Sequence, residues 1–180
     1  MPDAAAQLPW GASLGTMTER AIVLVGHGVP PRDCPRELVQ RLKMLEGRRR
    51  ASGESMTDEE RALDARIRAW PRSDDTDPYR AGMERLASAL RTKVPAELVV
   101  AYNEFCAPSL EDAVRALAGQ GVTRIDVVPS MLTPGGVHAE VEIPEAIAAL
   151  SSELPGVRIT YAWPFDLERV ASLLAERLGT

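Results

Sequence analysis

The chain reads as an α/β protein: a four-stranded, mostly parallel sheet with helices on both faces, plus an inserted helical hairpin. Three observations carry this expectation. Segments 21–25, 98–102, 125–128 and 157–162 have the length and apolar character of strands, and continuous apolar runs suit strands covered on both sides. Each segment is followed by at least one helical stretch, and repeated strand–helix order implies right-handed crossovers between parallel strands. Residues 32–77 carry two helical patterns of opposite charge where a single crossover would suffice.

Residues 1–18 are rich in Ala, Gly, Ser and Pro without a clear period; they read as a loose lead-in to one domain spanning 1–180, with Trp10 as a point of order. The first strand, 21–25, runs out at Gly26-His27-Gly28. Prolines 30, 31 and 35 delay the next helix, and Pro35 suits a helical first turn. That helix runs through Leu38, Leu42 and Leu45, and residues 32–50 hold seven basic and three acidic side chains. Thr57-Asp58-Glu59-Glu60 is a capping box, followed by Leu63, Ile67 and Trp70 on one helical face. Residues 54–77 hold eight acids and four bases, so the two stretches form a helical hairpin or a solvated pair of helices.

Asp77-Pro78 starts the next helix, with Asp as cap and Pro at the first position, and Met83, Leu86, Ala87 and Leu90 form its stripe. Strand 98–102 ends in Asn103-Glu104-Phe105-Cys106. Pro108 and Ser109 then open a helix through Val114 and Leu117, which Gly119 and Gly121 stop. Strand 125–128 leads into a long loop with Gly135-Gly136 and His138, and Pro144 helps start a helix through Ile147 and Leu150. Strand 157–162 ends at Trp163-Pro164-Phe165. Asp166 caps the last helix, whose Val170, Leu173, Leu174 and Leu178 are expected to face inward.

Composition narrows the function. A formal charge of −5 argues against a general nucleic-acid binder. No apolar run approaches the roughly 20 residues that span a bilayer, and the first 18 residues do not read as a signal peptide. Cys34 and Cys106 are too few for a disulfide framework or a cysteine zinc site, and two free thiols point to a cytoplasmic protein.

In open parallel sheets, ligands bind beyond the carboxyl ends of the strands. Both histidines of the chain, His27 and His138, fall there, together with Glu104, the Gly135-Gly136 pair and the aromatics Trp163 and Phe165. Neutral imidazole with carboxylate suits a divalent transition metal such as Co²⁺, Fe²⁺, Ni²⁺ or Zn²⁺. Other chemistries lack their parts. Gly26-His27-Gly28 has neither the third glycine nor the Lys-Ser/Thr of phosphate-binding loops, Gly26 stands where a strand-end phosphatase histidine would follow an Arg, and no Ser sits in a Gly-x-Ser-x-Gly elbow. Blander roles remain open at this stage: a lone strand-end histidine is often a structural hydrogen-bonding group, Glu104 suits a helix cap, Glu140 and Glu142 straddle a helix start where acids are favourable, and Trp163 and Phe165 suit a core.

Taken together, Val25-Gly26-His27-Gly28, Asn103-Glu104-Phe105 with Ala107-Pro108-Ser109-Leu110-Glu111, and Gly135-Gly136-Val137-His138 with Glu142-Ile143-Pro144 resemble the class II tetrapyrrole chelatases, and most closely the sirohydrochlorin chelatase family of CbiX type. Glu142 stands where that family's pattern has Asp. The resemblance covers roughly 20–29 and 79–178 and leaves 32–77 as an insertion. It implies insertion of Co²⁺ or Fe²⁺, with Ni²⁺ as a further candidate, into a tetrapyrrole without ATP or any other cofactor. It implies His27 and His138 as metal ligands and Glu104 as a third ligand or proton acceptor. The family fold has two similar α/β halves facing one cleft; this chain holds one, which implies a homodimer. A polycarboxylate macrocycle needs a local basic surface, for which Arg32, Lys43 and Arg48-Arg49-Arg50 are available. The candidate substrate-binding set is Arg32, Gly135, Gly136, Glu142, Trp163 and Phe165. The alternative is a non-catalytic carrier of metal or tetrapyrrole.

Overall fold

A computed structural model describes residues 19–179; the expected lead-in, 1–18, lies outside them. The order of elements is β1 (Arg20–Gly26), α1 (Arg36–Ser52), α2 (Asp58–Arg68), α3 (Pro78–Arg91), β2 (Glu97–Tyr102), α4 (Leu110–Gly119), β3 (Arg124–Pro129), a five-residue π-helix (His138–Glu142), α5 (Ile143–Glu153), β4 (Arg158–Tyr161) and α6 (Leu167–Leu178). The four strands form one sheet in the order β2-β1-β3-β4, with every pairing parallel. The register places Gly26 beside Tyr102, and Val25 beside Pro129. The chain therefore leaves β1, β2 and β3 at one level, and the residues that follow those strands meet on one rim.

Both faces of the sheet are covered, as uninterrupted apolar strands require. Ala21, Val23, Val25, Val99, Ala101, Ile125 and Val127 pack with α4 and α5 on one side. Ile22, Leu24, Leu98, Val100 and Tyr102 pack with Met83 and Ala87 of α3 on the other. The helix starts follow local chemistry: the Thr57 hydroxyl accepts from the Glu60 N–H, the Asp77 carboxylate from Arg80, and Ser109 from Asp112. Pro35 sits at the N-cap of α1 rather than inside its first turn.

Helices α1 and α2 pair through a third core built on the rim itself: Leu42 and Ile67 are fully buried, and Cys34 and Phe105 pack with them. Burying two such aliphatic side chains contributes about 1.5–3 kcal/mol each. Oppositely charged faces add pairs between the helices, Arg41 with Glu59 and Arg49 with the buried Glu60.

One helix departs from expectation. The last helix forms and Asp166 caps it, but none of its residues is buried, and Leu173, Leu174 and Leu178 are 59%, 59% and 78% exposed. An apolar stripe records that a face needs cover; it does not record which molecule supplies it. Here β4, only four residues long and half-exposed, offers too little surface to hold it.

A candidate metal site at the strand ends

His27 follows β1 directly. Its own N–H donates to the Tyr79 hydroxyl (2.8 Å), and its ring Nδ1 lies 2.6 Å from the Gly28 carbonyl. A carbonyl only accepts, so Nδ1 carries the proton and Nε2 is left with a free lone pair. Gly28 is fixed in kind as well as place. Its φ is +86°, and a Cβ there would stand 1.9 Å from the Glu104 carbonyl oxygen, so only glycine lets the two loops close. They do close, through backbone bonds from Asn103 N to Gly26 O (2.9 Å) and from Glu104 N to His27 O (2.8 Å).

His138 arrives from the far side of the rim, at the start of the π-helix. Pro144 has no N–H to give Glu140, and the turn before it uses a longer bond, Ile143 N–H to the His138 carbonyl. This turn sets His138 and Glu142 side by side. Glu142 Oε2 accepts from His138 Nδ1 (2.6 Å) and from the Asn103 amide (2.6 Å), while the Asn103 nitrogen is itself 2.7 Å from Nδ1. The carboxylate fixes the proton on Nδ1 and again presents Nε2, the arrangement by which a metal-binding histidine is oriented from behind. Burial works against the charge on Glu142, but the hydrogen bonds from His138 and Asn103, with the charge of Arg50, outweigh it and hold its carboxyl below the usual carboxylate range.

The imidazoles of His27 and His138 meet edge to face, with ring centroids 4.6 Å apart. With Glu104 they form a cluster whose ligating atoms all lie within 4.8 Å of one another. An ion bound at about 2.0–2.2 Å from each donor needs donors no more than about 4.4 Å apart, so small side-chain rotations would close the three around one ion, and three protein donors would leave coordination positions open. Glu104 is 13% exposed and its Oε1 accepts from Lys43 Nζ at 2.8 Å. It does not cap the following helix; Ser109 does.

Two arginines secure the loop that carries Asn103 and Glu104. Arg68 donates to the carbonyls of Cys106 (2.8 Å) and Asn103 (3.0 Å) while paired with Asp64. Arg72 donates to the carbonyls of Val29 and Phe105 and pairs with Asp77, both side chains almost wholly buried. Phe105 has φ +57°, a conformation that costs free energy and persists where surroundings enforce it. A cleft of about 380 Å³ between the hairpin and the starts of α4 and α5 opens onto Glu104 and Glu142, although neither histidine lines it.

The structure thus brings together His27, His138 and Glu104. It places the other expected residues differently. Glu142 stands behind His138 and is bonded to His138, Asn103 and Arg50. Arg32 turns to the 73–77 segment, with its N–H on the Thr76 carbonyl and its guanidinium 3.4 Å from that of Asp75. Gly135 (φ +90°) and Gly136 face open space, and the Gly135 N–H is taken by Glu140. Trp163 packs between Tyr161, at the end of β4, and Phe165; the two expected aromatics line neither the cleft nor a buried core. Asn103, beside Glu104 in the same motif, was visible in the sequence without a role. The grip of Arg68 and Arg72 on the loop gave no signal, because the loop carbonyls they hold lie more than 30 residues away.

Fold and site define a class: a parallel α/β protein whose carboxyl rim gathers two oriented imidazoles and a carboxylate that could hold a metal ion. The chain belongs to the CbiX family, which it matches over residues 74–180; Glu104 and His138 lie inside that range, His27 and the hairpin before it. It is 36% identical over 81 residues to the sirohydrochlorin ferrochelatase of Priestia megaterium, covering 44% of this chain and 30% of that protein. It is 40% identical over 78 residues to the sirohydrochlorin cobaltochelatase of Sulfurisphaera tokodaii, covering 43% and 61%. The matches span less than two thirds of these relatives. In fold, the chain is similar to the solved structure of a CbiX protein from Marinobacter aquaeolei VT8, with TM-score 0.51 over 89% of this chain and 98% of that one at 22% identity.

Proposed function

We propose that this protein is an ATP-independent chelatase that inserts a divalent metal, cobalt or iron, into sirohydrochlorin or a related tetrapyrrole on the route to siroheme or cobalamin. The observation that carries this reading is the convergence of His27, His138 and Glu104, with ligating atoms within 4.8 Å of one another, in a member of the CbiX family. The metal is substrate here. Two imidazoles and a carboxylate hold it without filling its shell, so pyrrole nitrogens can enter as waters leave. Glu104 is the group placed to accept a pyrrole proton as the metal moves on.

One sheet offers one wall of a macrocycle-sized cleft, so the active form is a homodimer. The uncovered stripe of α6 supports this, since a C2 partner buries the same surface twice. The two free buried thiols and the lack, among the described residues, of a helix long and apolar enough to cross a membrane are compatible with a cytoplasmic setting.

The test is absorbance spectroscopy of purified protein with sirohydrochlorin and a panel of divalent metals. Catalytic conversion with Co²⁺ or Fe²⁺ is expected in the native protein. His27→Ala and His138→Ala should each lose at least about 100-fold in rate, the scale of removing a group that acts in the transition state, with an unchanged circular dichroism spectrum. Binding without turnover would make the protein a carrier instead.

A further inference from the structure

Lys43 is the one residue of the hairpin that touches a proposed metal ligand. Its Nζ lies 2.8 Å from Glu104 Oε1 and 3.1 Å from Glu46 Oε2, and it stands 4.7 Å from the centre of the Phe105 ring. The ammonium is thus shared between two carboxylates, both largely buried: Glu104 is 13% exposed and Glu46 17%. Arg50, two turns further along α1, holds Glu142 behind His138. Both rim carboxylates therefore meet a cation from the same helix.

This arrangement solves a problem specific to a protein that must hold a metal and then give it up. A buried carboxylate without a counter-ion is costly. If the metal were the only cation near Glu104, its departure would leave such a charge, and the site would trap its cargo. Building on the proposed function, we infer that Lys43 is an exchangeable counter-ion: it neutralises Glu104 while the site is empty, moves to Glu46 when a divalent metal binds, and returns as the metal leaves. Glu46 is the waiting partner. It is already within 3.1 Å, so the shift needs a change of side-chain rotamer and no backbone motion. The face of Phe105 keeps the ammonium in place during the exchange. The exchange itself moves no proton: ionised Glu104 faces either the ammonium or the metal, Glu46 takes whichever share of Lys43 is released, and after accepting a pyrrole proton Glu104 regains the ammonium once that proton passes to water.

Equilibrium Co²⁺ binding to the full-length protein, measured by competition with a chelating dye, tests this without turnover. Lys43→Gln should bind Co²⁺ roughly ten-fold more tightly and release it correspondingly more slowly, because a competing charge within a few ångströms has gone. Lys43→Arg, which keeps the charge, should remain close to the native value. Glu46→Gln should bind Co²⁺ more weakly, since Lys43 then has nowhere to go. In the Lys43→Gln background, Glu46→Gln should have no effect, and that coupling is the signature of exchange. A lowered melting temperature for Lys43→Gln with unchanged Co²⁺ affinity would reduce Lys43 to a structural ion pair and overturn the inference. So would additive effects of the two substitutions. The chelatase reading fails separately, if native protein and the His27→Ala/His138→Ala double variant bind Co²⁺ alike.

Discussion

At the β1–β2 end of the rim, nearly every group that carries the site is held from several sides. Two backbone bonds join the loops of His27 and Glu104, Gly28 admits no side chain, and Arg68 and Arg72 occupy the loop carbonyls. The hairpin core packs on Phe105. At the β4 end, the strand is four residues long, Trp163 and Phe165 touch chiefly aromatic neighbours, and the leucines of α6 face outward. The contrast teaches where the chain is self-sufficient. On the proposed function, a cluster that holds an ion would need its geometry fixed within one subunit, whereas a surface that closes over a macrocycle could be completed by a second copy. The inserted hairpin then belongs to the first category. It is the clamp on the Glu104 loop, and its basic arm is largely spent inside the protein: Arg49 on Glu60, Arg50 on Glu142, Lys43 on Glu104.

The sharpest way to break the rigid end is Arg72→Met. The Arg72 and Asp77 side chains are 6% and 1% exposed, and removing one partner of a buried pair costs about 3–5 kcal/mol because the other charge stays behind. Chemical denaturation should show a loss on this scale. The Arg72→Met, Asp77→Asn double variant should recover a large part of it, because no charge is then stranded and the amide oxygen can still cap α3. A loss under about 1 kcal/mol for the single change, typical of an exposed pair, would show that the clamp is dispensable.

A smaller effect is expected at the junction of the two ends, where Glu142 orients His138. Glu142→Gln should lower Co²⁺ affinity by about 10–100-fold, the range for partners that orient a metal-binding histidine, with the fold intact. The same residue gives a pH signature. Its carboxyl titrates below the usual range in the folded protein, so its contribution to stability is complete above the ordinary carboxylate pKa and is lost as pH falls through the depressed folded value. Native protein and Glu142→Gln should therefore differ in stability at neutral pH and converge in acid. A constant difference down to the acid limit would assign the stabilisation to packing and not to charge.

Sequence made the rigid end partly legible. The strands were readable because their residues are apolar without interruption, and His27, His138 and Glu104 could be grouped because parallel topology gathers strand ends. What gripped them was not readable. The pairs Lys43–Glu104 and Arg50–Glu142 join residues 61 and 92 positions apart, and a charged helix face looks the same whether it meets water or a carboxylate. Arg32 was placed near His27 by proximity along the chain, yet the prolines that follow Gly28 carry it off to the turn before α3. The bond between Glu142 and His138 was not readable, because the π-turn that sets them side by side leaves no mark in the sequence beyond Pro144. Periodicity was sound for α6 as a helix and silent about its partner.

The least effect on the isolated chain, and the most telling for the other end, should come from Leu173→Ser with Leu174→Ser. Both residues are 59% exposed, so replacing them removes only a minor part of the packing within one subunit. Surface changes of this kind typically move stability by no more than about 0.5 kcal/mol. If α6 is where the second copy sits, the same pair of substitutions removes apolar area from a self-complementary interface twice over, and light scattering at micromolar concentration should shift from dimer to monomer. Co²⁺ binding should stay unchanged, because His27, His138 and Glu104 all come from one chain, while conversion of sirohydrochlorin should fall with the dimer. A variant that remains dimeric and fully active would place the interface elsewhere on the chain. A variant that turns monomeric and loses its metal as well would show that the β1–β2 end is less self-sufficient than its hydrogen bonds indicate, and the contrast between the two ends would no longer stand.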